Sequence, residues 1–237
     1  MSLSDKGIEL LKKHEDDSEI TFKIVVLGDS FVGKSCLALK AVHNTFNNNY
    51  SSTVGFEFLN YSTKLENYNI KLQVWDTCGQ ETYRSLISSF YHSSSLAILV
   101  YAIDNISSFY NIEVWLEEIK TKGNSDILLM LIGNKADIEN KREVTKEMAN
   151  EFCERNNIKI FMEASAKTGY NVDNIFKEAT KILLEQHQKQ KIYIYRPESM
   201  RHIEYHEEEL DKTRTKEIVL SESDSFFTQK KKRRCCF

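Results

Sequence analysis

The segment that most constrains this chain is the motif Gly-Asp-Ser-Phe-Val-Gly-Lys-Ser at positions 28–35. It follows an apolar run at 21–27 and precedes a helical pattern at 36–43, which is the strand, loop and helix order of a phosphate-binding P-loop. Glycines let backbone N–H groups turn toward phosphate oxygens, and the start of the helix adds further donors. Lys34 is predicted to neutralise the β- and γ-phosphates, and the Ser35 hydroxyl to bind Mg²⁺. The alternative is a glycine turn without a ligand, and we favour a nucleoside triphosphate site.

Composition and cysteine usage narrow the class of protein. The chain has 237 residues, 41% hydrophobic and 28% charged, which fits one soluble domain with tails. No apolar run approaches the ~20 residues that span a bilayer, and the N-terminus does not resemble a signal peptide. The five cysteines lie far apart except for Cys235 and Cys236, which predicts neither a disulfide framework nor a zinc site. We therefore expect a protein of the cytosol or of a membrane face.

Apolar strands alternate with amphipathic helices after the P-loop. This order predicts a doubly wound α/β sheet with its ligand at the carboxyl ends of the strands. The predicted strands are 21–27, a hairpin of 54–65 and 69–75, then 96–103, 127–132 and 159–162. The predicted helices are 36–43, 107–122, 146–155 and one that starts near 171. The predicted parts are a flexible extension at 1–20, the nucleotide-binding domain at 21–186 and a largely disordered tail at 187–237.

A second motif, Trp-Asp-Thr-Cys-Gly-Gln at 75–80, ends the second strand of the hairpin. Asp76 is predicted to hold the Mg²⁺ shell, and the backbone N–H of Gly79 to approach the γ-phosphate. Gln80 is predicted to orient the attacking water. A simple turn explains Asp-x-x-Gly on its own, but the preceding P-loop favours the functional interpretation.

A third motif, Gly-Asn-Lys-Ala-Asp at 133–137, predicts recognition of guanine. The Asp137 carboxylate can accept from guanine N1–H and the 2-amino group, a donor face that adenine lacks. Asn134 is predicted to fix the loop and the base, and the Lys135 stem to lie along the ring. In a later Ala-Ser-Ala-Lys motif, the backbone N–H of Ala166 is predicted to meet guanine O6. A capped helix start is the alternative for the third motif, which with the P-loop favours GTP over the ATP of a P-loop ATPase or kinase.

Together these motifs resemble those of the Ras superfamily of small GTPases. The segments at 53–58 (Thr-Val-Gly-Phe-Glu-Phe) and 71–76 (Lys-Leu-Gln-Val-Trp-Asp) are similar to those of its Rab branch. The resemblance covers about residues 20–186. It implies an α/β fold of the P-loop NTPase class: a small G domain whose six-stranded, mostly parallel sheet has one antiparallel edge hairpin and about five flanking helices.

The resemblance also implies roles for single residues. Thr53 is expected to bind Mg²⁺ only when the γ-phosphate is present, Phe46 to pack against the guanine edge, and Tyr50 to close over the phosphates. Cys78 stands where the family usually has Ala. The expected catalytic residues are Gln80, Lys34 and Thr53, and the expected metal ligands are Ser35, Thr53 and Asp76. The expected nucleotide-binding residues are Asp29, Ser30, Phe31, Val32, Gly33, Lys34, Ser35, Cys36, Phe46, Tyr50, Thr53, Gly79, Asn134, Lys135, Asp137, Ser165, Ala166 and Lys167.

The end of the chain resembles a Rab lipidation site. A C-a-a-X box needs Cys at the fourth position from the end, where this chain has Arg234. Cys235 and Cys236 instead resemble the double geranylgeranylation site, and two lipid chains bind a membrane durably. The basic run from Lys230 to Arg234 is expected to contact an anionic leaflet. A nuclear-localisation-like run and a solvated tail are the alternatives.

These features predict a membrane-anchored GTP/GDP switch that hydrolyses GTP and regulates vesicle trafficking. The alternative is a nucleotide-locked scaffold without turnover, which the presence of Thr53 and Gln80 disfavours. The resemblance implies an exchange factor, a GTPase-activating protein, a prenyl-extraction chaperone and effectors as partners, and no nucleic acid. The expected location is the cytoplasmic face of an intracellular membrane, with a cytosolic pool.

Overall fold

The computed structural model describes residues 19–47, 56–77, 91, 93–124 and 126–195. Within these residues the strands are β1 (Glu19–Leu27), β2 (Phe56–Leu65), β3 (Tyr68–Thr77), β4 (Leu96–Ala102), β5 (Leu128–Asn134) and β6 (Ile160–Glu163). The helices are α1 (Lys34–His43), α2 (Ile106–Tyr110), α3 (Ile112–Lys122), α4 (Lys146–Asn156) and α5 (Val172–Tyr195), with a 3₁₀ turn at Glu139–Lys141.

The six strands form one sheet in the order β2-β3-β1-β4-β5-β6. The β2–β3 pair is antiparallel, and the other four pairs are parallel. This confirms the predicted mostly parallel sheet with an antiparallel hairpin at one edge. After β1 the chain runs to the edge strand β2 and returns through β3 to the side of β1, and β4 to β6 then extend the sheet on the other side of β1, so the strand order reverses at β1. Ligands of such sheets bind beyond the carboxyl ends of the strands at this reversal.

Helices cover both faces of the sheet, and β1 shows how the core is shared between them. Ile24 and Val26 pack on the face covered by α1 and α5, whereas Val25 and Leu27 pack on the face covered by α3 and α4. Successive side chains of a strand point to opposite faces, so a strand covered on both sides needs apolar residues at every position. This explains the continuous apolar runs in the sequence, and it leaves the strand ends as the place for polar residues.

The helix predicted over 107–122 is two helices, α2 and α3, that meet at Asn111. The backbone of Asn111 keeps dihedral angles in the right-handed helical region (φ −68°, ψ −12°), although neither helix includes this residue. The side-chain amide of Asn111 donates a hydrogen bond to Asp29 in the P-loop. The interruption therefore lies at a contact between α3 and the predicted phosphate loop.

The last helix continues beyond residue 186, where the sequence analysis ends the domain, to Tyr195. The ring of His187 meets Phe22 of β1 edge-on, with 5.8 Å between ring centroids. Gln188 Nε2 donates to Glu66 Oε2 at 3.3 Å. These contacts attach the polar C-terminal part of α5 to β1 and to the turn between β2 and β3. The chain divides into the units Met1–Gln190 and Lys191–Phe237, and the domain limits given above stay predictions. Across the described part of the chain, helices long and apolar enough to cross a membrane are absent.

Candidate functional site

The P-loop connects the end of β1 to the start of α1, and its two glycines hold conformations that side chains would obstruct. Gly33 has φ +93°, and a Cβ there would lie 2.3 Å from Asn134 Nδ2. Gly28 has φ +142°, and a Cβ there would lie 2.1 Å from the carbonyl oxygen of Val100 in β4. The loop therefore packs against the neighbouring strand and the third motif with no room for a methyl group.

Lys34 lies at the start of α1 and is nearly buried, with 5% of its surface exposed. Its Nζ donates to the carbonyl oxygens of Gly28 and Asp29, both at 2.8 Å. A buried ammonium group needs such acceptors because its desolvation is costly. These two bonds hold the cation inside the curve of the P-loop, at the positive end of α1, where an anionic phosphate would be stabilised.

Ser35 and Asp76 come from α1 and β3 and meet at the carboxyl end of the sheet. The Ser35 hydroxyl donates to Asp76 Oδ2. Asp76 is fully buried, and its Oδ1 has no hydrogen-bond partner among the described residues. Burial raises the pKa of Asp76 to about 6, although Ser35 and Lys34 lower it, and the charge of Glu57 raises it further. A hydroxyl and an unpartnered carboxylate oxygen side by side fit Mg²⁺, which prefers oxygen ligands.

Asn134 joins the third motif to the P-loop and to the Ala-Ser-Ala-Lys segment. Only 2% of its surface is exposed. Its Nδ2 donates to the carbonyl oxygen of Val32 at 2.7 Å, and its Oδ1 accepts from the backbone N–H of Ala166 at 3.2 Å. The same N–H of Ala166 is predicted to meet guanine O6, and that contact stays a prediction. One amide thus ties three chain segments into a single site.

The remaining residues of the base-recognition loops also lie together. Asp137 Oδ1 accepts from the Ser165 hydroxyl at 2.6 Å, and Lys167 Nζ lies 4.0 Å from Asp137 Oδ2. Lys135 has a left-handed backbone (φ +66°), and its Nζ lies 3.3 Å from Asp104 Oδ1. The hydroxyl of Ser165 orients the carboxylate that is predicted to bind guanine, and Asp104 pairs with the ammonium group of Lys135.

Four further predicted residues line or flank the P-loop helix. Ser30 and Cys36 are half-buried, and burial, followed by the charge of Asp76, raises the pKa of the Cys36 thiol. Phe31 is 76% exposed in the P-loop, and Phe46 is 36% exposed just after α1. Both aromatic rings therefore stand at the surface of the described site, where Phe46 is accessible to a base.

Several predicted residues lie outside the described part of the chain. They are Tyr50, Thr53, Cys78, Gly79, Gln80, Cys235, Cys236 and the basic run from Lys230 to Arg234. The roles assigned to them stay predictions.

The structure adds supporting residues that the sequence analysis did not single out. Arg142 binds the Glu163 carboxylate with two parallel bonds, Nη1 to Oε1 at 2.6 Å and Nη2 to Oε2 at 2.9 Å. Asn171 Nδ2 donates to the carbonyl oxygen of Glu163 at 2.8 Å. Asn111 and Trp115 donate to the carboxylate of Asp29. The amphipathic helix pattern predicts Trp115 as a core residue. A local sequence pattern cannot predict that its indole N–H donates a hydrogen bond to a distant loop.

Comparison with known proteins agrees with this geometry. The Ras family model matches residues 23–185. The Ras-related protein YPTC6 of Chlamydomonas reinhardtii is 42% identical over 166 residues, which are 70% of this chain and 76% of the relative. The residues matched by the family model include the P-loop, the second motif and the two base-recognition motifs.

Proposed function

Because this chain belongs to the Ras family of small GTPases, we propose that its four motifs form one guanine nucleotide site with the residue roles given above. The protein is a Rab-like small GTPase: it binds GTP and GDP with Mg²⁺, hydrolyses GTP to GDP and phosphate, and belongs among the regulators of vesicle trafficking.

The observation that supports the site is the position of Asn134. Its amide bonds the P-loop at Val32 and the Ala-Ser-Ala-Lys segment at Ala166. These contacts join segments that are far apart in the sequence. The predicted phosphate-binding and base-binding residues therefore lie close together at the carboxyl ends of the strands. A nucleotide has its phosphates at one end and its base at the other, so one nucleotide could contact both sets of residues.

The proposed mechanism follows from the charges of the site. Lys34 and the N–H groups of the P-loop stabilise the negative charge of the transferring phosphoryl group. Ser35 and Asp76 would hold Mg²⁺, which would supply further positive charge beside the phosphates. Gln80 orients the water for in-line attack. We expect slow hydrolysis by the protein alone and an acceleration of roughly 10³–10⁵ by an activating protein.

The role of Gln80 is tested by the variant Gln80→Leu in a single-turnover GTP hydrolysis assay. Leu cannot accept or donate a hydrogen bond to water, so we expect GTP to persist while GDP and GTP binding are retained. Gln190→Leu, which changes an exposed glutamine of α5, is the matched control and should hydrolyse GTP at the wild-type rate. Equal rates for the wild type and Gln80→Leu would contradict the role.

We further propose that Cys235 and Cys236 carry two prenyl groups that hold the protein at the cytoplasmic face of an intracellular membrane. The adjacent basic run from Lys230 to Arg234 supports this because it complements anionic lipids. Replacing both cysteines with Ser should move the protein from the membrane fraction to the soluble fraction of cells. Phe237→Ser, which keeps both thiols, is the control. Membrane residence of the double Ser variant would refute the anchor.

A further inference from the structure

Asp29 is an acidic residue inside a loop that binds anions. A carboxylate in this position is unfavourable for the phosphates unless it is directed elsewhere. In the structure it is directed at α3: Asp29 Oδ2 accepts from Asn111 Nδ2 at 2.6 Å, and Oδ1 accepts from Trp115 Nε1 at 2.9 Å. Each carboxylate oxygen therefore has its own neutral donor from outside the P-loop.

The two donors lie one helical turn apart, Trp115 within α3 and Asn111 just before its first residue. Trp115 is fully buried in the core between α3 and the sheet, which fixes the direction of its indole N–H. Asn111 is the residue before α3, one helical turn away, so both side chains lie on one face. A carboxylate that accepts from two placed donors has little freedom to rotate.

The same residue also touches the P-loop lysine. The main-chain carbonyl of Asp29 accepts from Lys34 Nζ at 2.8 Å. If its carboxylate were released from α3, it would be free to turn toward the Lys34 ammonium group. It would then compete with the phosphates for that cation and repel them.

We propose that Asn111 and Trp115 are positioning residues for nucleotide binding: they hold the Asp29 carboxylate against α3 and thereby reserve Lys34 for the phosphates. Neither residue touches the nucleotide in this scheme. The inference rests on the proposed function, since it assumes that guanine nucleotide occupies the P-loop. It makes α3 part of the nucleotide site through a single acidic side chain.

The test measures the release of a fluorescent GDP analogue from the full chain with Mg²⁺ present. Trp115→Phe removes the N–H and keeps an aromatic ring in the core. We expect release to become about tenfold faster, the size of one hydrogen bond to a charged group. In an Asp29→Asn background the same Trp115→Phe change should alter release by less than about twofold, since the charge that it frees is gone.

Asn111→Ala is a second variant, in which an exposed side chain outside the core is truncated, and it should follow the same pattern. Val114→Ala, an exposed change on α3, is the control and should release GDP at the wild-type rate. The inference is overturned if Trp115→Phe and Asn111→Ala release GDP like the wild type. It is also overturned if they accelerate release equally in the Asp29→Asn background, because the effect then comes from packing. A wild type that does not retain GDP would overturn the proposed function itself.

Discussion

Removing the Asn134 amide should destabilise the protein even without nucleotide. The variant Asn134→Ala deletes the bond to the Val32 carbonyl at 2.7 Å and the bond from the Ala166 N–H at 3.2 Å. Val32 and Ala166 are 1% and 3% exposed, so water cannot readily replace the lost partners. An unpaired buried polar group costs about 1–3 kcal/mol, and we expect a total loss of about 2–4 kcal/mol in the free energy of unfolding.

The measurement is urea unfolding at a series of GDP concentrations with fixed Mg²⁺. Bound nucleotide adds stability in proportion to the logarithm of its concentration over its dissociation constant. Extrapolation to zero GDP therefore isolates the contribution of the two internal hydrogen bonds. Asn174→Ala, which removes an exposed amide that donates to Asn171 Oδ1 at 3.1 Å, is the control and should change stability by less than about 0.5 kcal/mol.

A stability loss that disappears as GDP is lowered would refute this reasoning. Asn134 would then act through the base alone, and the contacts with Val32 and Ala166 would contribute nothing to the fold. A loss that persists at zero GDP, with faster GDP release in addition, is the expected result. It would show that one side chain both supports the fold and shapes the nucleotide site.

Two further outcomes are expected. Arg142→Met should lower the free energy of unfolding in urea by about 2 kcal/mol, since the Glu163 carboxylate is 9% exposed and, among the described residues, would keep only the more distant Lys146 ammonium at 3.7 Å. Adding Glu163→Gln should recover part of the loss. An equal or larger loss in the double variant would contradict this. Mg²⁺ titrations of the GDP complex should show weaker metal binding as the pH falls from 7 to 5. A pH-independent affinity for Mg²⁺ would contradict this expectation. The pKa of metal-free Asp76, about 6 instead of the usual 3.8, means that a proton increasingly competes with the metal below pH 6. The folding stability of the metal-free protein depends on pH in the opposite direction to the metal affinity. Because the pKa of Asp76 is raised in the folded state, this group contributes most stability below pH 3.8, and the contribution is lost as the pH rises through 6.

Local sequence patterns predicted whether a segment is a strand or a helix where the positions of its apolar residues correspond to the faces that are buried. All seven residues of β4 are buried, and the continuous apolar run at 96–103 predicted such a strand. The motif spacing also predicted that Ser35 and Asp76 serve one metal, and the structure brings these two side chains into contact. The strand prediction succeeds because it depends on residue type and position along one element, whereas the shared metal of Ser35 and Asp76 stays a prediction.

The hydrogen-bond partners of the polar residues were decided only by the tertiary structure. Asp29 meets Trp115 although the two are 86 positions apart, and Asn134 meets Val32 across 102 positions. Such pairs depend on the strand order around β1 and on how each helix packs on the sheet, which local periodicity does not encode. The sequence by itself therefore determined where the strand and the helix around the P-loop lie, and it predicted that this loop binds a triphosphate. Tertiary packing determined which distant side chains hold that loop in place, because a buried polar group must find its partner among whatever elements the fold brings beside it.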